Sequence, residues 1–333
     1  MDVRLSPEQQ ALRDAAAQVS DRLGVHTQAA LADDERHAKL DAAVAASGWR
    51  ELRTASDDGT TPWASAVEVA LVAEELARGL ADAAFFGATL AADLRRAAGA
   101  PASADVETVV LDADLAALAV MPNGGVAIDA GGASSALALD ASSRPVAVAI
   151  ERPDREVDLT RPSTVVPAGV DAEPVGAALG EPALLRWKAL GLSLTTADLV
   201  GTMRGALTLA TAYARERRQY GTAIGSFQAV QHLLADALVA TEGAHSASLH
   251  ASWAVDALEP RDALAAAATA KAYASRAARA VCETVIQVHG GIGNTWDCLA
   301  HVYLRRALLS IDVLGGVGAN LDLVLAHHGI GAQ

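Results

Sequence analysis

Tyr213-Ala214-Arg215-Glu216-Arg217-Arg218-Gln219-Tyr220-Gly221, followed by Ile224-Gly225-Ser226-Phe227-Gln228-Ala229-Val230-Gln231-His232, is the stretch from which the rest of the chain can be read. A polar, arginine-rich run that stops at a glycine, between two long segments of helical periodicity, predicts a tight corner between two helices. The first helix is expected to end near Arg218 and the second to run from Ser226 to about Leu258, before Pro260. A third, from about Asp262 to Val288, closes in a second corner, Gln287-Val288-His289-Gly290-Gly291-Ile292-Gly293. Apolar residues recur at three and four, as in Leu233, Leu234, Ala237, Leu238 and Thr241, so each helix has one stripe to bury and the set packs antiparallel into a bundle.

Upstream the texture changes twice. Ser6-Pro7-Glu8-Gln9 sets a capping hydroxyl, a proline at the first helical position and a polar residue three on, which predicts a helix from there to about Leu23. Further helices are expected around Lys39 to Ser47, from about Trp63 to Gly79 and from Ala81 to Ala98, closed by Gly99-Ala100-Pro101. From Glu107 to about Val170 short apolar runs alternate with Gly, Pro, Asn and Asp. The runs at 109–111, 118–120, 126–128, 137–139 and 146–150 read as strands, with Asn123-Gly124-Gly125 as a hairpin turn. The organisation expected is an N-terminal helical domain over 1–103, a small β domain over 104–180 and a C-terminal helical bundle over 181–333.

Composition narrows the function. With 52% hydrophobic but 4% aromatic residues, the apolar load rests on Ala, Leu and Val, which suits close helix packing. A formal net charge of -14, from 26 basic and 40 acidic residues, argues against nucleic acid, because phosphate contacts need a basic face. Cys282 and Cys298 are too few and too weakly patterned for a disulfide scaffold or a zinc site, so a reducing cytoplasm is expected. The start carries no apolar signal region, and no apolar run approaches the ~20 residues of a membrane span, so neither secretion nor a membrane is expected. His245 and His250 lie off a helical ligand spacing, so no metal is expected, and Ser134-Ser135 and Ser142-Ser143 lack the elbow of a nucleophile.

The order helical, β, helical, with these corners in the last part, resembles the acyl-CoA dehydrogenase family. The likeness is densest from about Val200 to Ala307, through Gly201, the two corners and His301-Val302-Tyr303-Leu304-Arg305-Arg306-Ala307, and extends to Ala46-Ser47-Gly48-Trp49 and Ala73-Glu74-Glu75-Leu76-Ala77-Arg78. It implies a mainly α fold with a small β domain and a C-terminal four-helix bundle. It also implies FAD as cofactor, with Arg217, Gln219, Tyr220, Phe227, Gln228, Gln287, Gly290 and Gly291 contacting the nucleotide of a neighbouring subunit. Each position has a physical sense of its own. An arginine at a helix end can fork onto a pyrophosphate, or simply complement the helix dipole. Phe227 can pack against an adenine, or be an ordinary buried ring. A glycine pair at a helix end lets a ligand approach the backbone, where a plain helix stop needs one glycine. The second corner is not a dinucleotide fingerprint, since Trp296 stands at the last glycine of that pattern and no strand precedes it.

The resemblance further implies removal of an α-proton from an acyl-CoA by a carboxylate while a hydride leaves the β-carbon for the flavin. The chain departs from the family at that base. The commonest position falls on Leu314, within Val313-Leu314-Gly315-Gly316, and the alternative near Gly191 or Leu192. Asp297 and Asp312 are the remaining, weak candidates. The Thr-Glu-Pro, Gly-Ser-Asp and Lys-x-Trp patterns that wall the flavin ring are also missing between Glu107 and Val170, and Trp187 and Lys188 do not restore them. The function expected is therefore an acyl-CoA dehydrogenase-like oxidoreductase subunit of lipid metabolism, in a homo- or hetero-oligomer, dimer or tetramer, with a longer, catalytically complete relative. A non-catalytic structural subunit and a flavin oxygenase on the same fold are the alternatives. Acyl chain, pathway and electron-transfer acceptor are not legible.

Overall fold

The computed structural model describes residues 4–151 and 157–331. The chain opens with α1 (Pro7–Leu23), whose start is the expected capping box: Ser6 Oγ accepts the Gln9 amide and the Gln9 side chain returns to the Ser6 amide. Next come α2 (Asp34–Ala46), α3 (Ala66–Arg78) and α4 (Phe86–Ala97). The last was expected from Ala81. Residues 79–85 instead form a buried connection in which Leu80 takes a left-handed φ of 51°, and the Asp129 carboxylate accepts the amides of Phe85 and Gly87 at 3.0 Å. A distant side chain caps this helix, which local sequence does not announce.

One six-stranded sheet follows, in the order β5-β2-β1-β3-β4-β6. Its strands are β1 (Glu107–Leu111), β2 (Gly125–Ile128), β3 (Ser135–Leu139), β4 (Pro145–Ala149), β5 (Thr164–Val166) and β6 (Ala172–Pro174). β1 and β3 pair in parallel and the other neighbours antiparallel. Alternation works despite the alanines: Val109, Leu111, Ile128 and Leu137 face the helical core, while Val110, Ala127, Ala136 and Val148 pack on the opposite side. Two expectations are corrected. The run 118–120 is no strand; Leu118 bridges Leu111 and Val120 bridges Leu139, one residue at a time, before Pro122 ends any ladder. Asn123–Gly125 is therefore a turn into β2 rather than a hairpin between paired strands. The three-residue edge strands β5 and β6 were not foreseen, because so short a run carries no readable period.

The remainder is the bundle: α5 (Glu181–Glu216), α6 (Gln228–Ala257), α7 (Pro260–His289), α8 (Ala300–Asp312) and α9 (Val317–His327). The corners fall where expected, and α5 runs 36 residues from Glu181. Trp187 thus belongs to α5, its indole N–H donating to the Leu90 carbonyl at 3.0 Å. Contrary to the sequence reading, Ala300–His327 is long and apolar enough by composition to cross a membrane. The turn at Val313–Gly316 divides it into α8 and α9, and in α8 Val302, Tyr303, Arg306, Ala307 and Ser310 are buried against the other helices. Cys282 and Cys298 are both buried and unpaired.

The helical parts and the β part are locked by buried charge. Asp198 of α5 accepts Arg306 of α8 at 2.6 Å and Ser310 at 2.6 Å, and lies 3.3 Å from Arg161, in the connection after β4. Arg161 also meets Asp158 at 2.8 Å, and Arg306 reaches the Ala81 carbonyl at 3.1 Å. Burial pushes the Asp198 carboxyl up, but the Arg161 and Arg306 guanidiniums outweigh it, and the group titrates below the ordinary carboxylate range.

Candidate functional site

The α5–α6 corner is a two-residue hairpin. Arg217 leaves the helix with extended backbone, its amide still bonded to the Tyr213 carbonyl at 2.8 Å. β7 (Arg218–Gln219) then pairs with β8 (Thr222–Ala223). At the tip Tyr220 and Gly221 take φ of 51° and 81°, the double left-handed geometry of a type I′ turn. Glycine adopts it freely; a tyrosine there is strained, by roughly 1–2 kcal/mol. Yet Tyr220 is 95% exposed, edge-on to Phe227 at 6.2 Å and 83°. Gln219 and Gln228 are exposed beside it, as are Arg215, Arg217 and Arg218, which have no carboxylate partner among the described residues. This corner spends strain and aromatic surface on nothing inside its own chain.

The second corner behaves alike. α7 ends at His289, and Gly290, with φ 66° and ψ -143°, stands where a side chain is hardly tolerated. The chain continues as a short 3₁₀ turn, Gly290–Asn294, with Gln287 exposed one turn back. A Cβ on Gly293 would press on the Ile286 carbonyl at 2.9 Å, so that glycine is needed locally. A Cβ on Gly290 or Gly291 would meet no atom of the chain within 4 Å. Gly291 thus has no packing reason within the protomer. The two corners lie at one end of the bundle, since the rings of Tyr213 and His289 stack at 4.5 Å. A groove of ≈ 550 Å³ opens beside that stack, lined by His26, Gln28, Glu216 and Asp297 among others.

The two positions at which the family resemblance would put a base meet each other. Leu314, 1% exposed with φ 60°, lays its side chain over Gly191, where any Cβ would collide with its Cδ1. The Leu314 amide donates to the Leu115 carbonyl at 2.6 Å, closing the turn against the β part. The sequence gives Leu314 and a second position near Gly191 or Leu192, but does not show that Leu314 meets Gly191 across 123 residues. Asp297 and Asp312 sit at exposed positions, in contact with solvent rather than in a water-excluded pocket.

Lys271 of α7 was not anticipated. It is fully buried, and its Nζ donates to the carbonyls of Ile311 at 2.8 Å and Gly315 at 3.1 Å, holding the Leu314 turn with Asn320, whose amide also donates to Gly315 at 2.6 Å. Burial pushes the ammonium down to about 7, against a smaller opposing effect of Asp312. A neutral amine still has two protons for two carbonyls. An unfolded lysine titrates near ~10.4, so the penalty of the buried charge is complete below about 7 and gone above ~10.4, and stability rises with pH between the two. Lys271→Met is expected to abolish that rise, roughly 1.4 kcal/mol per pH unit, seen as the difference between wild type and variant in urea unfolding across the window.

Residues 193–319 match the family model described as acyl-CoA dehydrogenase, C-terminal domain. The chain is 42% identical over 137 residues to the acyl-CoA dehydrogenase FadE34 of Mycobacterium tuberculosis, a stretch that is 41% of this chain and 19% of that one. The match thus spans about a fifth of that curated relative. Among solved structures, a variant of the Tcur3481-Tcur3483 steroid ACAD superposes with a TM-score of 0.80 at 23% identity, over 98% of each chain. The ChsE4-ChsE5 complex from Mycobacterium tuberculosis gives 0.76 at 22%, over 99% of each. At these identities the superpositions establish the fold, helical ends around a small sheet, and no more.

Proposed function

We propose that this chain, whose residues 193–319 match the acyl-CoA dehydrogenase C-terminal domain, serves α,β-dehydrogenation of an acyl-CoA thioester as a flavin-contacting subunit beside a catalytically complete partner. The observation that carries this is the contact of Leu314 with Gly191, which fills the place of a base with aliphatic carbon while the exposed corners keep the means to hold a nucleotide.

The residues present fit one half of FAD. Arg217 offers an unpaired guanidinium to a pyrophosphate, which a planar fork binds more strongly than a point charge. Gly290 and Gly291 leave the backbone open to close approach, Gln219, Gln228 and Gln287 supply amides, and the Tyr220–Phe227 pair presents apolar surface to a base. When bound, FAD supplies the hydride acceptor. With Leu314 at one base position and Gly191 or Leu192 at the other, none able to take a proton, α-proton removal falls to the partner, whose active site also holds the acyl group. Exposed Leu233, Leu238 and Val239 on α6, Tyr273 on α7 and Leu321 and Leu325 on α9 would be covered by such an assembly. Support for a mixed assembly comes from the ChsE4-ChsE5 complex, a neighbour in fold.

The test is to express the chain alone and with a longer relative of the same family, recording visible spectrum and mass. We expect a colourless chain alone and a yellow mixed assembly. In that assembly Arg217→Ala should weaken FAD binding about 10- to 150-fold, the equivalent of one charge-assisted hydrogen bond, with mass unchanged. Yellow protein that oxidises acyl-CoA from the chain alone would overturn the reading. A mixed assembly whose flavin is indifferent to Arg217→Ala would make the chain a structural subunit.

A further inference from the structure

The arginine corner and the glycine corner must stand at a set distance if one pyrophosphate is to touch both. α5 and α7 pack toward this end through small and large side chains alike, Met203, Ala206, Leu207 and Ala210 on one and Ala278, Val281, Cys282 and Val285 on the other. At the corners themselves the contact is the stack of Tyr213 on His289, with centroids 4.5 Å apart and planes 25° from parallel.

Each ring is coupled to a corner. The Tyr213 carbonyl accepts the Arg217 amide at 2.8 Å, so Arg217 rides on the turn that Tyr213 begins. His289 immediately precedes Gly290. Its ring is fixed in turn: it is 6% exposed, and Nδ1 lies 2.8 Å from the Val285 carbonyl, an acceptor, so Nδ1 carries the proton. On its far side the 3₁₀ turn presses close, for a Cβ on Gly293 would lie 3.1 Å from the His289 Cβ. The backbone that carries each ring thus runs straight into its corner.

We infer that Tyr213 and His289 form a strut that sets the spacing of Arg217 and Gly290, and so act as positioning residues for the pyrophosphate of FAD. The inference rests on the flavin-contacting reading above. It assigns the stack a role that packing alone would not need, because a strut is judged by ligand affinity and packing by stability.

The experiment is FAD titration, followed by flavin fluorescence, of the flavin-free assembly in which the chain is isolated, with ADP as competitor. Tyr213→Leu keeps most of the volume and removes the stack; Tyr213→Phe keeps the stack and removes the hydroxyl. We expect Tyr213→Leu to loosen both FAD and ADP about tenfold, since a loss of ~1.4 kcal/mol is tenfold. Tyr213→Phe should restore wild-type binding, and both variants should keep the mass of the assembly. Wild-type affinity in Tyr213→Leu, beside an Arg217→Ala variant that loses FAD, overturns the strut and leaves the functional reading standing. Wild-type affinity in both shows that the functional reading itself has failed. Should Tyr213→Leu not assemble, His289→Leu, which keeps Tyr213, carries the same two outcomes.

Discussion

Asp198→Ala is expected to destabilise the protein by roughly 3–5 kcal/mol, the usual result of removing one partner from a buried ion pair. Asp198 is 3% exposed, and its carboxylate is what the buried guanidiniums of Arg306 and Arg161 share. Removing it leaves the buried Arg306 guanidinium without a carboxylate and Arg161 with Asp158 alone, and frees α8 and the 158–161 connection from α5. Asp198→Asn should lose less, because an amide oxygen can still accept one of the bonds. Urea unfolding at neutral pH measures both. The direction of the Asp198 shift adds a check: its folded value is depressed, so its contribution is complete above the unfolded value of ~3.9 and fades as pH falls through the folded one. The gap between wild type and Asp198→Ala must therefore narrow in acid. A constant gap, or a loss under about 1 kcal/mol, would mean that the network is wetter than its geometry implies.

Gly201→Ala should be nearly as damaging, at about 3 kcal/mol, the upper end for overpacking. A Cβ at Gly201 would sit on the Glu74 carbonyl oxygen, and one at Gly205 on the Arg78 carbonyl, so these two glycines of α5 let the backbone of α3 lie directly against it. The obstacle is backbone rather than the free end of a side chain, so relief requires the helices to separate. Separation would strain the pairing of the Glu74 carboxylate with Arg204 and with His245 at 3.0 Å, which ties α3 to α5 and α6. A lowered unfolding midpoint checks this, against Thr208→Ala on the exposed side of α5 as a control expected to change less than about 0.5 kcal/mol. Equal stability of Gly201→Ala and the control would show that α3 has room to withdraw.

Much of the candidate site was legible because it consists of corners. Ser6 and Gln9 cap α1 across three positions, and Tyr220-Gly221 turns within a hairpin whose ends are five residues apart. Such features depend on dihedral preferences and hydrogen bonds that a short window contains. The start of α4 was misplaced because its cap, Asp129, arrives from the end of β2. The run 118–120 misled for the opposite reason: it has the composition of a strand, but its two neighbours each accept it for a single residue.

The contacts that define what this chain can do belong to neither class. Gly191 and Leu314, and Tyr213 and His289, are legible in the sequence only as separate positions, and Asp198 and Arg161 carry no signal there at all; they acquire meaning when packing sets them, with Arg306, side by side. Helix lengths, caps and glycine corners follow from the order of residues, because neighbours in sequence are always neighbours in space. Which buried charges neutralise each other, and which leucine closes over which glycine, follows from the folded core, because these partners meet only after long stretches of chain have surrendered their conformational freedom to bring them together.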